Sequence, residues 1–265
     1  GKLTSKYSKT SDAGRAQTSM SGRTGVKMDN TEKSYDGSII PMHDIGFARD
    51  WREVAAGTSE GYDAIIDDQR ETLLTFRRHI QLDLLEGHKD ADGNFIVVDG
   101  LSWEGLRNDS HVEQIDLGAG GVNFDFTDTT KTYLEIEAAA KQIRDTMWIT
   151  NKCGKELTWY VSLEVASNIE RASSESYASK DVLQRLAGLR GIKEIKPTSD
   201  LSGNEIAGYP LDGEDVKPLV GMATSTIALP RPMYNSDYSF ITAAGIGFQF
   251  RDDFNGNTCS FSAKE

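Results

Sequence analysis

Apolar residues recur at steps of three and four between Ser59 and Gly87, and the reading of the chain starts there. Tyr62, Ile66, Leu73, Phe76, Ile80 and Leu84, with Gln69 completing the row, keep one face of an α-helix in register. Asp63, Asp67, Asp68, Arg70, Glu71, Arg77 and Arg78 fall on the other face. Thr58 or Ser59 is a candidate cap, and Gly87 a candidate stop in a left-handed turn. Such a helix reaches about 40 Å, long enough to serve as a girder for whatever packs on it.

Thr130–Trp148 predicts a second amphipathic helix, with Leu134, Ala138, Ile143 and Met147 on one side and Asp128 or Thr129 as its cap. The period then shortens. Thr158–Leu163 reads as a strand, Glu164–Ser173 and Lys180–Leu189 as short helices, and Gly191–Lys196 as a strand. Gly203–Asp215 reads as a polar, glycine-rich loop. Lys217–Leu229 reads as a strand broken by Pro230 and Pro232. Tyr238–Phe250 and Thr258–Ala263 read as strands around Asp252–Asn257, an Asn-Gly hairpin signal. Shorter strands are expected at Phe95–Val98 and Val122–Phe126. The class is α+β, with strands from before and after the middle sharing a sheet, and no internal repeat is visible.

Ahead of the long helix the pattern lapses. Gly1–Gly37 is rich in Ser, Thr, Gly and Lys and has almost no apolar periodicity, so it cannot fold alone: it is disordered or orders on a neighbour. Ser38–Ala56 reads as an extended, hairpin-like excursion with a heavy apolar load: Ile39, Ile40, Met42, Ile45, Phe47 and Trp51. Exposed, these side chains invite a partner; the alternative is that they fold back onto the long helix.

Composition narrows the function classes. A chain of 265 residues with 38% hydrophobic and 26% charged residues can bury a real core, and no apolar run is long enough to span a membrane. The first 37 residues hold seven basic and four acidic side chains, a balance of +3. Against a total of -12, this leaves -15 on the body. An acidic body argues against sequence-independent duplex binding.

Candidate chemistry is sparse. Cys153 and Cys259 lie far apart without CxxC spacing and read as free buried thiols. His43, His79, His88 and His111 show neither HxxxH nor HExxH spacing, so no metal or cofactor site is expected. Gly22–Lys27 lacks phosphate-loop spacing, Asp90–Asn94 lacks the twelfth-position Glu of a calcium loop, and no GxSxG elbow occurs. Glu135 with Glu137, and Asp252 with Asp253, are carboxylate pairs that read as surface acids. Trp103, Trp148 and Trp159 read as core or interface anchors. An enzyme is not expected.

The order of parts then carries a likeness. Polar arm, apolar excursion, long helix, strands, a strand–helix–helix–strand module and returning strands resemble the major capsid proteins of tailed bacteriophages, the Hong Kong 97-type fold shared with encapsulin shells. Residues 39–69 (IIPMHDIGFARDWREVAAGTSEGYDAIIDDQ) look like the extended loop entering the spine helix. The segments TWYVSLEVASNIERA and VLQRLAGLRGIKEIKPTSDL look like an axial domain, and IGFQFRDDFNGNTCSFSA like terminal peripheral-domain strands. The resemblance implies an N-terminal arm at 1–37, an extended loop at 38–58 and the spine helix with peripheral-domain strands at 59–129. It implies an axial domain at 130–229, with 203–215 near a capsomer axis, and return strands at 230–265.

It further implies self-assembly through pentamers and hexamers into an icosahedral shell enclosing double-stranded DNA without sequence-specific binding. The excursion residues Ile39, Ile40, Met42, Ile45, Phe47 and Trp51 would then be inter-subunit contacts. A decoration protein, a portal and a scaffold are the further partners the family allows, with assembly in the host cytoplasm and residence in the virion capsid. The Gly1 start would suit removal of a preceding segment by a maturation protease. Residues 38–60 contain no lysine, so the isopeptide crosslink of some members is not expected from this loop. The competing expectations are an encapsulin-type nanocompartment, told apart by its contents, and a soluble α+β enzyme or ligand-binding domain, told apart by a small oligomeric state.

Overall fold

A computed structural model describes residues 3–11, 20, 30–171 and 181–265. It has two compact units. One comprises 1–5, 38–109 and 217–249, and the other 6–37, 110–216 and 250–265. In chain order the elements begin with β1 (Thr4–Thr10), β2 (Lys33–Ile39), β3 (Met42–Arg49), α1 (Trp51–Glu60) and α2 (Ala64–Glu86). The short β4 (Val97–Val98), β5 (Leu101–Ser102) and β6 (Glu113–Asp116) follow, then α3 (Tyr133–Asp145), β7 (Leu157–Ser162), α4 (Leu163–Ile169) and α5 (Val182–Ala187). The chain closes with β8 (Ile192–Thr198), β9 (Glu205–Tyr209), β10 (Val216–Ala228), β11 (Tyr238–Phe250) and β12 (Phe261–Lys264). The class is α+β, as expected.

In the first unit the long helix starts later than its apolar row suggests. Asp50 caps α1 by accepting from the Arg52 N–H at 2.7 Å, and Gly61, in the left-handed region, ends it. Asp63 then caps α2, accepting from the Ile65 and Ile66 N–H groups. The 23 residues of α2 span about 35 Å. Its inward face is Ala64, Thr72, Phe76 and Asp83, while Tyr62 and Ile66, expected inside, are exposed. Gly87 closes the helix at φ 70°, ψ -165°, a conformation that side chains rarely adopt. A three-stranded sheet of order β10-β11-β3 accompanies the helix, with β3 and β11 antiparallel from Met42↔Gly245 to Arg49↔Tyr238. Arg49 grips Asp68 of α2 with two parallel hydrogen bonds of 2.7 Å. The segment read as an excursion is therefore a strand and a helix of this unit.

The second unit is built on a five-stranded sheet of order β6-β12-β9-β7-β8. β7 and β8 run parallel, as a strand–helix–helix–strand connection requires, and β12 lies parallel to β6 and antiparallel to β9. Thr132 and Glu135 form a reciprocal capping box at the start of α3, so the cap lies three residues beyond Thr129. The buried side of α3 is Ile136, Ala139, Ala140 and Ile143, whereas Leu134 is exposed. This side packs with Leu157, Trp159 and Val161 of β7, Val165 and Ile169 of α4, and Phe261 of β12 in one apolar core. Trp159 and Phe261 meet edge to face at 5.3 Å.

Several expectations need correction here. Val122–Phe126 is no strand: the Asn204 side chain holds it by accepting from the Phe126 N–H and donating to the Phe124 carbonyl. Residues 205–209, expected as loop, are the buried strand β9 at the middle of the sheet. The strands around the Asn-Gly turn join different sheets, with only an Asp252↔Thr258 bridge between them. The two cysteines are joined as a disulfide, Cys153–Cys259, rather than free. Part of the N-terminal arm is ordered within its own chain, because β1 pairs with β2. Gly22–Lys27 and the end of the helix read as Glu164–Ser173 lie outside the described residues.

Gly208 explains why β9 can sit where it does. A Cβ there would stand 2.3 Å from a ring carbon of Phe261, whose ring is wholly buried against Trp159. Gly208→Ala is expected to lower stability by about 1–3 kcal/mol through overpacking, read as an earlier urea midpoint with unchanged slope.

Candidate assembly surface

The six excursion residues do not share one environment. Ile39 and Ile40 are buried at 8% and 9% exposure, and the Ile40 N–H donates to the Leu3 carbonyl at 2.7 Å. Neither side chain is open to a partner in the isolated chain. Phe47 stacks on Phe240 at 4.9 Å and is half-buried, as are Ile45 and Trp51. Met42 is exposed at 57%. Four of the set thus remain reachable from outside: Met42, Ile45, Phe47 and Trp51.

The structure adds a second group to these. β10 is an edge strand, exposed at nearly every position from Val220 to Ala228 whichever way its side chains point. A strand packed on one face alternates buried with exposed, so this stretch covers no core in the isolated chain. Val220, Ile227, Leu229, Met233 and Tyr234 are exposed at 64%, 59%, 42%, 68% and 86%. The last three lie on the β10–β11 connection, which is a built feature. The Arg231 guanidinium donates to the Ser236 and Tyr234 carbonyls and stacks over the Tyr238 ring at 4.0 Å. Tyr234 also meets Trp51 edge-on at 6.4 Å, so the connection and the start of α1 touch at that end of the sheet, whereas Met42 lies at the other end, opposite Gly245. Sequence reading missed this group because Lys217–Leu229 looked like an ordinary strand.

Edge strands β3 and β10 flank the same sheet and leave backbone groups available to another chain. In the second unit, residues 210–215 are fastened by Lys155, whose ammonium reaches Asp212 and Asp215 at 2.6 Å and Glu214 at 3.1 Å. Partial burial opposes the Lys155 charge, but these carboxylates outweigh it and its pKa is raised.

The acids considered for catalysis have structural partners. Glu135 belongs to the capping box, Glu137 pairs with Lys141, and Asp253 accepts from the backbone of the 253–257 turn. Asp252 and Asp36 share the Lys9 ammonium, and Asp36 accepts from His111 at 2.6 Å. Burial pushes the Asp36 carboxyl up, yet the Gly37 N–H, His111 and Lys9 bring it below its usual value. Among the described residues no helix is long and apolar enough to cross a membrane.

An α+β chain with a long helix, a three-stranded sheet ending in an exposed connection and a second unit around a five-stranded sheet has the fold of tailed-phage capsid proteins. It superposes on the capsid of Myoviridae phage XM1 with a TM-score of 0.67 at 13% identity, covering 99% of this chain and 85% of that one. Mycobacterium phage Che8 gives 0.62 at 12% identity over 100% and 85%. A virus-like particle from Pyrococcus furiosus gives 0.61 at 13% over 99% and 87%. In sequence, the chain belongs to the family described as "Family of unknown function (DUF6260)", which matches residues 1–263. No curated protein matches it in sequence.

Proposed function

We propose that this chain is a major capsid protein, which self-assembles through pentamers and hexamers into an icosahedral shell around the double-stranded DNA of a tailed phage. The observation that carries the reading is the set of exposed apolar side chains on β10 and the β10–β11 connection, Ile227, Leu229, Met233 and Tyr234, with Trp51 beside Tyr234, on a fold that covers 99% of this chain and 85% of a phage capsid chain. A soluble monomer gains nothing from holding a tyrosine and a methionine out on an Arg231-braced connection; a lattice does. In this role residues 1–37 act as an arm, 38–58 offer Met42, Ile45, Phe47 and Trp51 to a neighbour, and the rest of the first unit, 59–109 with 217–249, is the peripheral part. The axial part is then the rest of the second unit, 110–216 with 250–265, rather than the expected 130–229, because β10 shares its sheet with β11 and β3 while β6 and β12 lie in the five-stranded sheet. Its Lys155-fastened 210–215 loop lies towards a capsomer axis in this reading. The acidic body supports an inner wall that does not hold packaged DNA. Assembly in the host cytoplasm, a portal, a scaffold and a decoration protein complete the proposal, and the role is structural rather than enzymatic.

Sedimentation velocity of native material, with negative-stain images of the fastest species, tests it. Megadalton particles with pentamer and hexamer lattices and DNA inside are expected. A single species near the 29.2 kDa chain mass at high concentration overturns the reading, and shells filled with protein cargo replace it with a nanocompartment.

A further inference from the structure

Three of the four histidines converge on one buried carboxylate in the first unit. Asp83, on the inward face of α2, is 7% exposed. His43 of β3 brings Nδ1 to 3.2 Å from Asp83 Oδ2, and His79, one turn earlier on α2, brings Nε2 to 3.7 Å from the same oxygen. His88, just past Gly87, brings Nδ1 to 3.8 Å from Oδ1. Asp83 Oδ2 is buried with no hydrogen-bond partner. A buried carboxylate oxygen left this way is costly unless something else neutralises it.

The His43 tautomer sharpens the point. Its Nε2 lies 3.0 Å from the Ile246 carbonyl, a group that only accepts, so Nε2 carries the hydrogen. In the neutral ring Nδ1 then directs a lone pair at Asp83 Oδ2. Two lone pairs facing each other at 3.2 Å call for a positive centre between them. A histidine with one ring N–H on a backbone carbonyl and the other nitrogen free to ligate is the arrangement that metal-bound histidines use, and His43 Nδ1 is so placed beside Asp83.

The distances suit such a centre. Around a tetrahedral ion with bonds of about 2.0–2.2 Å, neighbouring ligand atoms lie roughly 3.3–3.6 Å apart. The two measured separations, 3.2 and 3.7 Å, bracket that range, and the donor atoms of His43, His79 and Asp83 all lie within 4.8 Å of one another. The His79 side chain is half exposed, so it can close the remaining gap. A cleft of about 530 Å³, lined in part by His79, Asp83, His88 and Arg107, gives an entry path. The other histidine–carboxylate cluster, Asp36, His111 and Asp252, already holds its own cation in Lys9.

We infer that His43 Nδ1, His79 Nε2 and Asp83 Oδ2 bind a divalent transition-metal ion of the zinc class. Two imidazoles and one carboxylate, with no thiolate, select zinc, cobalt, nickel or copper over calcium and magnesium. The ion fastens β3 to α2. The inference does not depend on whether the chain forms shells.

The test uses the full chain, stripped with chelator, desalted and titrated with Zn²⁺ alone by calorimetry, with bound metal counted after gel filtration. One zinc per chain and a raised melting temperature are expected, and Co²⁺ should give the visible absorption of a low-coordinate N/O site. His79→Ala, at an exposed position that leaves the fold intact by circular dichroism, should weaken binding about tenfold or more. His111→Ala should bind as the parent does. Less than a tenth of a zinc per chain overturns the inference, as does parental affinity in His79→Ala or loss of binding in His111→Ala.

Discussion

Met233→Asp combined with Tyr234→Asp is expected to give a chain that folds normally and builds no shells. Both side chains are exposed in the isolated chain, at 68% and 86%, so the substitutions move folding stability by only about 0.5 kcal/mol. The connection keeps its shape because Arg231 is held by the backbone carbonyls of Ser236 and Tyr234, which aspartate also supplies. At an interface the same changes are severe. Each removes roughly 1.5–3 kcal/mol of apolar burial and places an unpaired carboxylate where water is excluded, a further penalty of several kcal/mol. A lattice repeats that penalty at every copy. Sedimentation velocity should show only slow species, with unchanged circular dichroism and urea midpoint. Shells at parental yield would remove the β10–β11 connection from the assembly surface. Met42→Asp then asks whether the neighbouring strand β3 belongs to the same surface.

What the sequence disclosed, and what it hid, follows from how far apart the deciding residues lie. β7, β8, β10 and β11 were legible within a few residues because each carries several β-branched or aromatic residues within one short window. The end of α2 was legible because Gly87 is a local signal. Its start was hidden by Gly61 and Asp63, a stop and a new cap placed inside a stretch whose apolar spacing continues across them. β9 was misread because a strand flanked by paired strands on both sides needs no polar alternation, and Gly203, Gly208 and Pro210 look like turn residues out of context. Its Gly208 is there for the Phe261 ring, which lies 53 positions further on in the sequence.

The sites were less legible than the elements. The excursion was singled out for its apolar load, yet Ile39 and Ile40 are buried, and the highly exposed Met233 and Tyr234 stand on the β10–β11 connection. Nothing local marks that difference, since exposure depends on what the rest of the chain leaves uncovered. The histidine cluster gathers its groups from a strand, β3, and a helix, α2. Only the spacing of His79 and Asp83, four apart on one helix, was available in one window, and that spacing is common on any helix. His43 joins them through the register of β3.

The two cysteines give the second large effect. Reducing Cys153–Cys259, or replacing both by serine, is expected to destabilise the second unit by about 3–5 kcal/mol, the entropic value of a crosslink closing a loop of order 100 residues. The bond spans 106 positions and joins the segment before β7 to the segment before β12. β12 has only four residues yet pairs on both sides, to β6 and β9, and brings Phe261 into the core. A strand of four residues makes few ladder bonds and opens readily unless something else holds it. Besides its ladder bonds, it is held by the disulfide and by the Thr258 N–H donating to Asn151 at 3.3 Å. Cys153 is 3% exposed, so a mild reductant should act slowly on the native chain and quickly once it opens. Urea unfolding with and without reductant should therefore separate by roughly the crosslink's full contribution, and the serine pair should follow the reduced curve. Two titratable thiols in the denatured, unreduced protein, or superimposed unfolding curves, would show that β12 is secured by its pairing and by Phe261 alone.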